Sequence, residues 1–176
     1  MTEKELVDGC IKEDRKCQER LWKLFAPKLL SVSLRYCKSR EDAEDVVMES
    51  FVKIFDHLHE FRYQSSLETW MRRIVVNSSI NKLRSFKFTE SIDEQVYQIG
   101  FTDKAFEQMN EKELLKMLES LPVGYRTVFN MYAIEGYSHK EISDSLGIDE
   151  GTSRSQLAKA RKTLQDMVLK TERKQA

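Results

Sequence analysis

Near the C-terminus, Ser138-His139-Lys140-Glu141 has the form of a capping box. The serine hydroxyl can accept from the amide three residues on, while Glu141 reaches back to the serine amide. Ile142 and Leu146 follow at inward spacing, Gly147 permits a left-handed turn, and Ile148 can plug the corner. Asp149 or Glu150 then opens a longer basic helix, with Thr152 close to its start. A short capped helix, a glycine turn and a longer helix make a helix-turn-helix. In such a unit the second helix enters the major groove and its N-terminal residues read base edges. Arg154, Ser155, Gln156, Lys159, Arg161 and Lys162 are the polar residues available, with Leu157, Ala160 and Leu164 as the buried stripe. The competing description is a plain helical hairpin with a solvated basic face.

A second constellation lies earlier. Arg73, Asn77, Asn81 and Arg84 recur at steps of four, four and three on a helix expected over 66–84, so they share one face. Arginine supplies phosphate contacts, and asparagine both donates and accepts. Just before it, Phe61, Arg62, Tyr63 and Gln64 form a loop. Aromatic and polar loop residues beside a basic helix suit single-stranded nucleic acid, whose unstacked bases need a platform. Equally, Phe61 and Tyr63 could plug the edge of a core. A third cluster is acidic. Residues 41–60 carry seven acids, Asp42, Glu44, Asp45 and Glu49 among them, and one base. Such a helix is either a solvated outer face or a surface for a basic protein.

Catalytic arrangements are lacking. His57, His59 and His139 have no cysteine or acid at zinc spacing, and there is no glycine-rich phosphate loop and no G-x-S-x-G. No enzyme, cofactor or metal is expected. The three cysteines, Cys10, Cys17 and Cys37, suit reduced thiols in a cytosol. No apolar run approaches the roughly 18 residues of a membrane span, so no membrane insertion is expected. The N-terminal MTEKELVDGC has no apolar core and does not read as a secretory signal. A cytoplasmic protein is expected.

The elements that must position these residues are helical. With Gly 6 and Pro 2 in 176 residues, a turn-rich sandwich or barrel is disfavoured. A short, weak helix is expected over 2–12 and a longer one over 14–37, with Leu21, Leu24, Phe25, Leu29 and Val32 on its inner face. Trp22 and Trp70 read as core. Ala43, Val47, Phe51, Ile54 and Leu58 form the strongest stripe, on a helix beginning near 39–42. Leu67, Trp70/Met71, Ile74 and Ser78 form that of the next. Periodicity fades over 87–111, which reads as an acidic linker. It resumes at 111–120, breaks at Leu121-Pro122, and continues over 123–134, 138–146 and 149–170, with Pro122 suited to a first turn. The expectation is an all-α chain: two small helical bundles joined by a linker, the C-terminal one containing the helix-turn-helix.

The 29 basic and 29 acidic residues cancel, yet 62–87 carries a net +5 and the stretch from Asp149 a net +3. Two anion-binding surfaces flanked by repulsive ones follow from that distribution.

Taken together, these residues resemble an extracytoplasmic-function (ECF) RNA polymerase sigma factor of the sigma-70 superfamily. Asp42-Ala-Glu-Asp-Val-Val-Met-Glu-Ser-Phe51 is similar to the D-A-E-D-x-x-Q-E-x-F signature of the family's second region. Trp70-Met-x-x-Ile74-x-x-Asn77 with Leu83-Arg84 follows the helix that continues it. Leu121-Pro122, Arg126, Phe129, Gly136-Tyr137-Ser138 and Glu141-Ile142 match the fourth region, and Gly151-Thr-Ser-Arg-Ser155 with Ala160-Arg161 its recognition helix. Three positions depart: Met48 replaces the usual glutamine, Ser153 stands where an apolar residue is common, and Lys159 where arginine is frequent.

The resemblance implies a promoter-recognition subunit in three parts. Residues 1–86 would bind core RNA polymerase through Asp42, Glu44, Asp45 and Glu49, and the single-stranded minus-ten element through Phe61, Arg62, Tyr63, Gln64, Arg73, Asn77, Asn81 and Arg84. Residues 87–111 would thread toward the RNA exit path. Residues 112–176 would read the minus-thirty-five element as duplex. It also implies an anti-sigma factor as a further partner.

Overall fold

The computed structural model describes residues 1–83 and 111–175. The chain divides into two compact units, Met1–Leu83 and Arg84–Ala176. Among the described residues there are helices and turns and no strand, in keeping with the all-α expectation. The expected acidic linker falls, apart from Glu111, outside the described residues, as does Arg84.

The first unit consists of α1 (Glu3–Ile11), α2 (Arg15–Leu34), α3 (Arg40–His57) and α4 (Leu67–Leu83). Each start has a physical cause. Thr2 and Glu5 form a reciprocal capping box at α1. Asp14 Oδ1 accepts from the amides of Lys16 at 2.8 Å and Cys17 at 3.1 Å at α2, and Ser39 Oγ accepts from the Asp42 amide at 3.1 Å at α3. The first helix is therefore firmer than its sequence pattern suggested, and it buries Leu6, Val7 and Cys10. The tight α1–α2 junction holds Glu13 at φ 58°. It also brings Gly9 so close to Cys17 that a Cβ there would lie 2.3 Å from Sγ. Only glycine fits.

Leu21, Leu29 and Val32 of α2 meet Ala43, Val47, Phe51 and Ile54 of α3 in the core, as their spacing predicts. Three expectations fail on α2. Leu24 is 49% exposed and Trp22 39% exposed, although the Trp22 ring lies 4.4 Å from that of Phe51. Phe25, expected on the same inner face, is only half-buried, and the buried side of the helix is made by Cys17, Leu21, Leu29, Val32 and Ser33. The helix also ends at Leu34, and Tyr36 and Cys37 are buried in the turn that follows. α4 buries Leu67, Met71 and Ser78 as expected, and in addition Val75, Val76, Ser79, Ile80 and Leu83. It packs on both α2 and α3, so a single stripe is not enough. Trp70 and Ile74 remain half-buried.

The second unit holds α5 (Glu111–Glu119), α6 (Val123–Phe129) running into a π-helical turn (Asn130–Ile134), α7 (His139–Leu146) and α8 (Glu150–Gln175). Pro122 stands at the N-cap of α6, one place before the first turn. Leu118, Leu121, Val128, Phe129, Met131, Ile142, Leu157, Ala160 and Leu164 make its core. Gly147 ends α7 at φ 67°, the left-handed cap that lets the chain turn into α8. Among the described residues no helix is long and apolar enough to cross a membrane.

Candidate nucleic-acid interface

The α7–α8 corner is built as the sequence indicated. Ser138 Oγ accepts from the Glu141 amide at 3.2 Å, and Glu141 Oε2 accepts from the Ser138 amide at 2.8 Å. Asp149 caps α8: one carboxylate oxygen accepts from the Thr152 amide at 2.8 Å and the other from its hydroxyl at 3.0 Å. Those bonds, the amide first, hold the Asp149 carboxyl below its ordinary range.

With the corner set, α8 has a defined inner side of Thr152, Ser153, Gln156, Leu157, Ala160 and Leu164, all buried. Arg154 and Lys162 are exposed, while Ser155, Lys159 and Arg161 are half-buried. Arg154 is pre-aligned by Glu150 at 2.7 Å. Lys159 lies 6.0 Å from the centre of the Tyr125 ring, and Arg161 5.7 Å from that of Tyr132.

One predicted contact is corrected. Gln156 is 2% exposed and packs against Gly124, where an added Cβ would stand 3.0 Å from its Oε1. Three residues after Ser153 and four before Ala160, it belongs to the inward row and cannot reach a base edge. His139, which the sequence placed merely inside the capping box, does more. Its Nδ1 lies 2.9 Å from Ser153 Oγ, and its ring stacks on Tyr132 at 4.5 Å. Burial, then Arg154 and Arg161, push its pKa down against the pull of Glu150. The unusual Ser153 was the available sequence signal: a polar residue in an apolar row needs a partner.

In the first unit, Arg73, Asn77 and Asn81 are exposed on one face of α4. Asn77 and Asn81 open onto a cleft of about 340 Å³ between α3 and α4, whose other walls include Lys53, Trp70 and Ile74. Sequence reasoning missed Lys53, the lone base of the acidic segment; its Nζ donates to Ser78 Oγ at 3.0 Å. The adjoining loop divides the two readings of its aromatics. Phe61 is 6% exposed, its ring 5.6 Å from Trp70, so it plugs the core edge instead of facing solvent. Tyr63 is 47% exposed, backed by Phe61 at 4.6 Å and held at φ 57°. Arg62 and Gln64 are exposed beside it.

The acids of α3 also separate. Asp42 Oδ1 pairs with Lys82 Nζ at 3.0 Å and its other oxygen accepts from Ser39 Oγ at 2.9 Å. Lys82 foremost, then Ser39, hold its carboxyl below the usual range. Asp42 therefore ties α3 to α4. Glu44, Asp45 and Glu49 face solvent, with Asp45 3.4 Å from Lys82. Exposed Met48 and Val52 interleave with them. Beside them a largely apolar cleft of about 650 Å³ opens between α2 and α3, walled by Trp22, Pro27, Leu30, Val47 and Met48.

A helix-turn-helix with outward cations, in a chain whose other helical unit has an exposed aromatic beside a cleft, has the make-up of a DNA-binding protein, and comparison makes the class specific. Residues 21–88 match the family model for sigma-70 region 2, and residues 111–164 that for sigma-70 region 4. The chain is 30% identical over 182 residues to the ECF RNA polymerase sigma-E factor of Salmonella typhimurium strain LT2, covering 96% of this chain and 95% of that one. It is 29% identical to the sigma-E factor of Haemophilus influenzae, covering 96% of each. A crystallised relative, the sigma factor RpoE in complex with the anti-sigma factor NepR from Bartonella quintana, shares the fold. It superposes with a TM-score of 0.52 at 22% identity, covering 85% of this chain and 95% of that one. The chain belongs to the ECF RNA polymerase sigma factors. It is a transcription initiation factor that binds core polymerase and recognises promoter DNA, and not an enzyme.

Proposed function

We propose that residues 1–86 bind core polymerase and the minus-ten element, residues 112–176 the minus-thirty-five element, and residues 87–111 the path between. The observation that carries the assignment is the difference in chemistry between the two units. The first offers a cleft and an aromatic ring, which suit an unpaired base; the second offers a capped helix with outward cations, which suits a duplex groove.

At the minus-ten element, Tyr63 stacks on an extruded base and Arg62 and Gln64 hold its backbone. Asn77, Asn81 and Lys53 supply donors and acceptors in the α3–α4 cleft, while Arg73 and Arg84 meet phosphates. Phe61 acts from behind, as the support of Tyr63. Extrusion costs a few kcal/mol. Stacking offsets about 1–3 kcal/mol of it per base. At the minus-thirty-five element, Arg154 and Ser155 read base edges, and Lys159, Arg161 and Lys162 meet the backbone. Core polymerase docks on Glu44, Asp45 and Glu49 and on the apolar surface between them, with Asp42 holding the helix in place.

The chain works in the cytoplasm, where polymerase and DNA are, and an anti-sigma factor restrains it, as the Bartonella quintana complex supports by analogy. Run-off transcription with core polymerase on a promoter library tests the assignment. Templates mutated at minus-thirty-five must lose the effect of Arg154→Ala, and those with a pre-melted minus-ten bubble must lose much of the effect of Tyr63→Ala. Equal sensitivity of both variants to both templates refutes the division. A mobility-shift assay with and without polymerase separates this reading from a regulator that binds DNA alone.

A further inference from the structure

His139 is the first residue of α7 and Ser153 lies in the first turn of α8, so their 2.9 Å hydrogen bond crosses the helix-turn-helix. Ser153 is fully buried. A hydroxyl in that setting needs a partner, and the imidazole supplies it. The same ring lies nearly parallel to that of Tyr132, with 21° between planes and 4.5 Å between centres. Tyr132 belongs to the π-helical turn that ends α6. Arg161, further along α8, sits over that Tyr132 ring as well. One imidazole thus joins the end of α6, the start of α7 and the start of α8.

Residues on either side of this bond have different fates. Ser153 points inward, while Arg154, next along the chain, is exposed and Ser155 is half-exposed. Whatever sets the depth and roll of Ser153 therefore sets where the Arg154 guanidinium arrives. In the family pattern that inward position is commonly apolar and would be held by packing alone, which is non-directional. A hydrogen bond has a preferred distance and angle.

We propose that His139 is a positioning residue for promoter reading: through Ser153 it fixes how the first turn of α8 presents Arg154 and Ser155 to the major groove. It touches no base itself. The groups around it are Arg154, Arg161 and Glu150 of α8 and the Tyr132 phenol, with Lys140 and Glu141 adjoining on α7. Two arginines nearby and partial burial favour the neutral ring, which keeps one nitrogen able to accept.

The proposal rests on α8 reading the minus-thirty-five element, and one experiment separates the two. Holoenzyme is reconstituted from core polymerase and the full chain, and transcribes a template pool randomised across minus-thirty-five, with barcoded run-off RNA sequenced. His139→Ala and Ser153→Ala each reduce the base preference read by Arg154 by about 3- to 10-fold, the range for one net side-chain hydrogen bond. The double variant is no worse than either single one. His139→Gln, whose amide can still bond the hydroxyl, stays within about twofold of the parent. A uniform loss across all templates with unchanged preference overturns the proposal, as does additivity or a Gln variant as impaired as Ala. Should His139→Ala fail to fold, Ser153→Ala and His139→Gln decide the matter. If Arg154→Ala leaves the preference intact, the reading of α8 itself fails; if Arg154→Ala changes it and His139→Ala does not, only the positioning role fails.

Discussion

Replacing Tyr63 by glycine separates two effects that usually travel together. The residue holds φ 57°, a left-handed conformation in a side chain with a full aromatic ring. That conformation costs an L-residue about 1–2 kcal/mol, which glycine escapes. Glycine loses about 0.5–1 kcal/mol of that through the extra freedom of its unfolded chain. It also forfeits the ring contact with Phe61, at 4.6 Å between centres, worth about 0.5–1.5 kcal/mol. Removing a ring that is 47% exposed also gives up the area its covered half buries, about 1–2 kcal/mol, so the relieved strain offsets part of the loss and the Tyr63→Gly chain melts several degrees below the parent while keeping its fold. Promoter opening has no such compensation. Losing a stacked base at about 1–3 kcal/mol lowers the open-complex population by about 5- to 150-fold. Permanganate reactivity of minus-ten thymines in the holoenzyme complex reads this directly, and Tyr63→Phe retains most of the signal. A Tyr63→Gly chain that folds normally and opens promoters as well as the parent refutes the stacking argument.

Other outcomes follow from the same geometry. Arg154→Ala lowers transcription from a cognate promoter with polymerase capture intact, whereas Gln156→Ala lowers the melting temperature and leaves minus-thirty-five preference unchanged, checked by run-off assay and thermal melts. Asp45→Lys with Glu49→Lys weakens capture of core polymerase in a pull-down while the circular dichroism spectrum is kept. The His139 pKa is lowered in the folded state, so the unfolded chain takes up protons first. Stability is therefore unaffected by this group above its ordinary value of about 6.5 and falls as pH drops below it. His139→Gln flattens that loss in melts between pH 7.5 and 5, above the range where carboxylates contribute.

The caps and stripes were legible because each depends on near neighbours. Ser138 and Glu141, Gly147, and Ala43 through Leu58 could be read from spacing alone, and the structure agrees. The failures share one cause. Leu24, Trp22, Gln156 and Phe61 are hydrophobic or polar by type, but their exposure depends on which other helix lies across from them. Gln156 is hidden because glycine stands opposite it on α6; Leu24 is bare because nothing in its own unit covers it. Lys53 and Ser78 are 25 positions apart, and His139 and Ser153 are 14 apart. Periodicity within a helix cannot report either pair.

Zero net charge in a DNA-binding chain becomes understandable once the outward cations are counted by surface. On the first four turns of the duplex-reading helix, residues 150–164, Arg154 and Lys162 are exposed, Lys159 and Arg161 are half-covered, and Arg154 is already paired with Glu150, while exposed Lys170 lies two turns beyond Lys162. About three phosphates can then be neutralised, which corresponds to a slope near −2.7 in log affinity against log salt. Raising salt from about 50 to 200 mM should weaken the free chain on a minus-thirty-five duplex by about 40-fold, from an already low affinity. Tight binding must come from joining this contact to the minus-ten and polymerase contacts, since linked sites gain through effective concentration without new charge. A fluorescence-anisotropy titration of the isolated chain tests the count. A slope steeper than about −5 would mean that the half-covered and acidic-flanked cations also reach phosphate, and that the chain can hold a promoter without its enzyme.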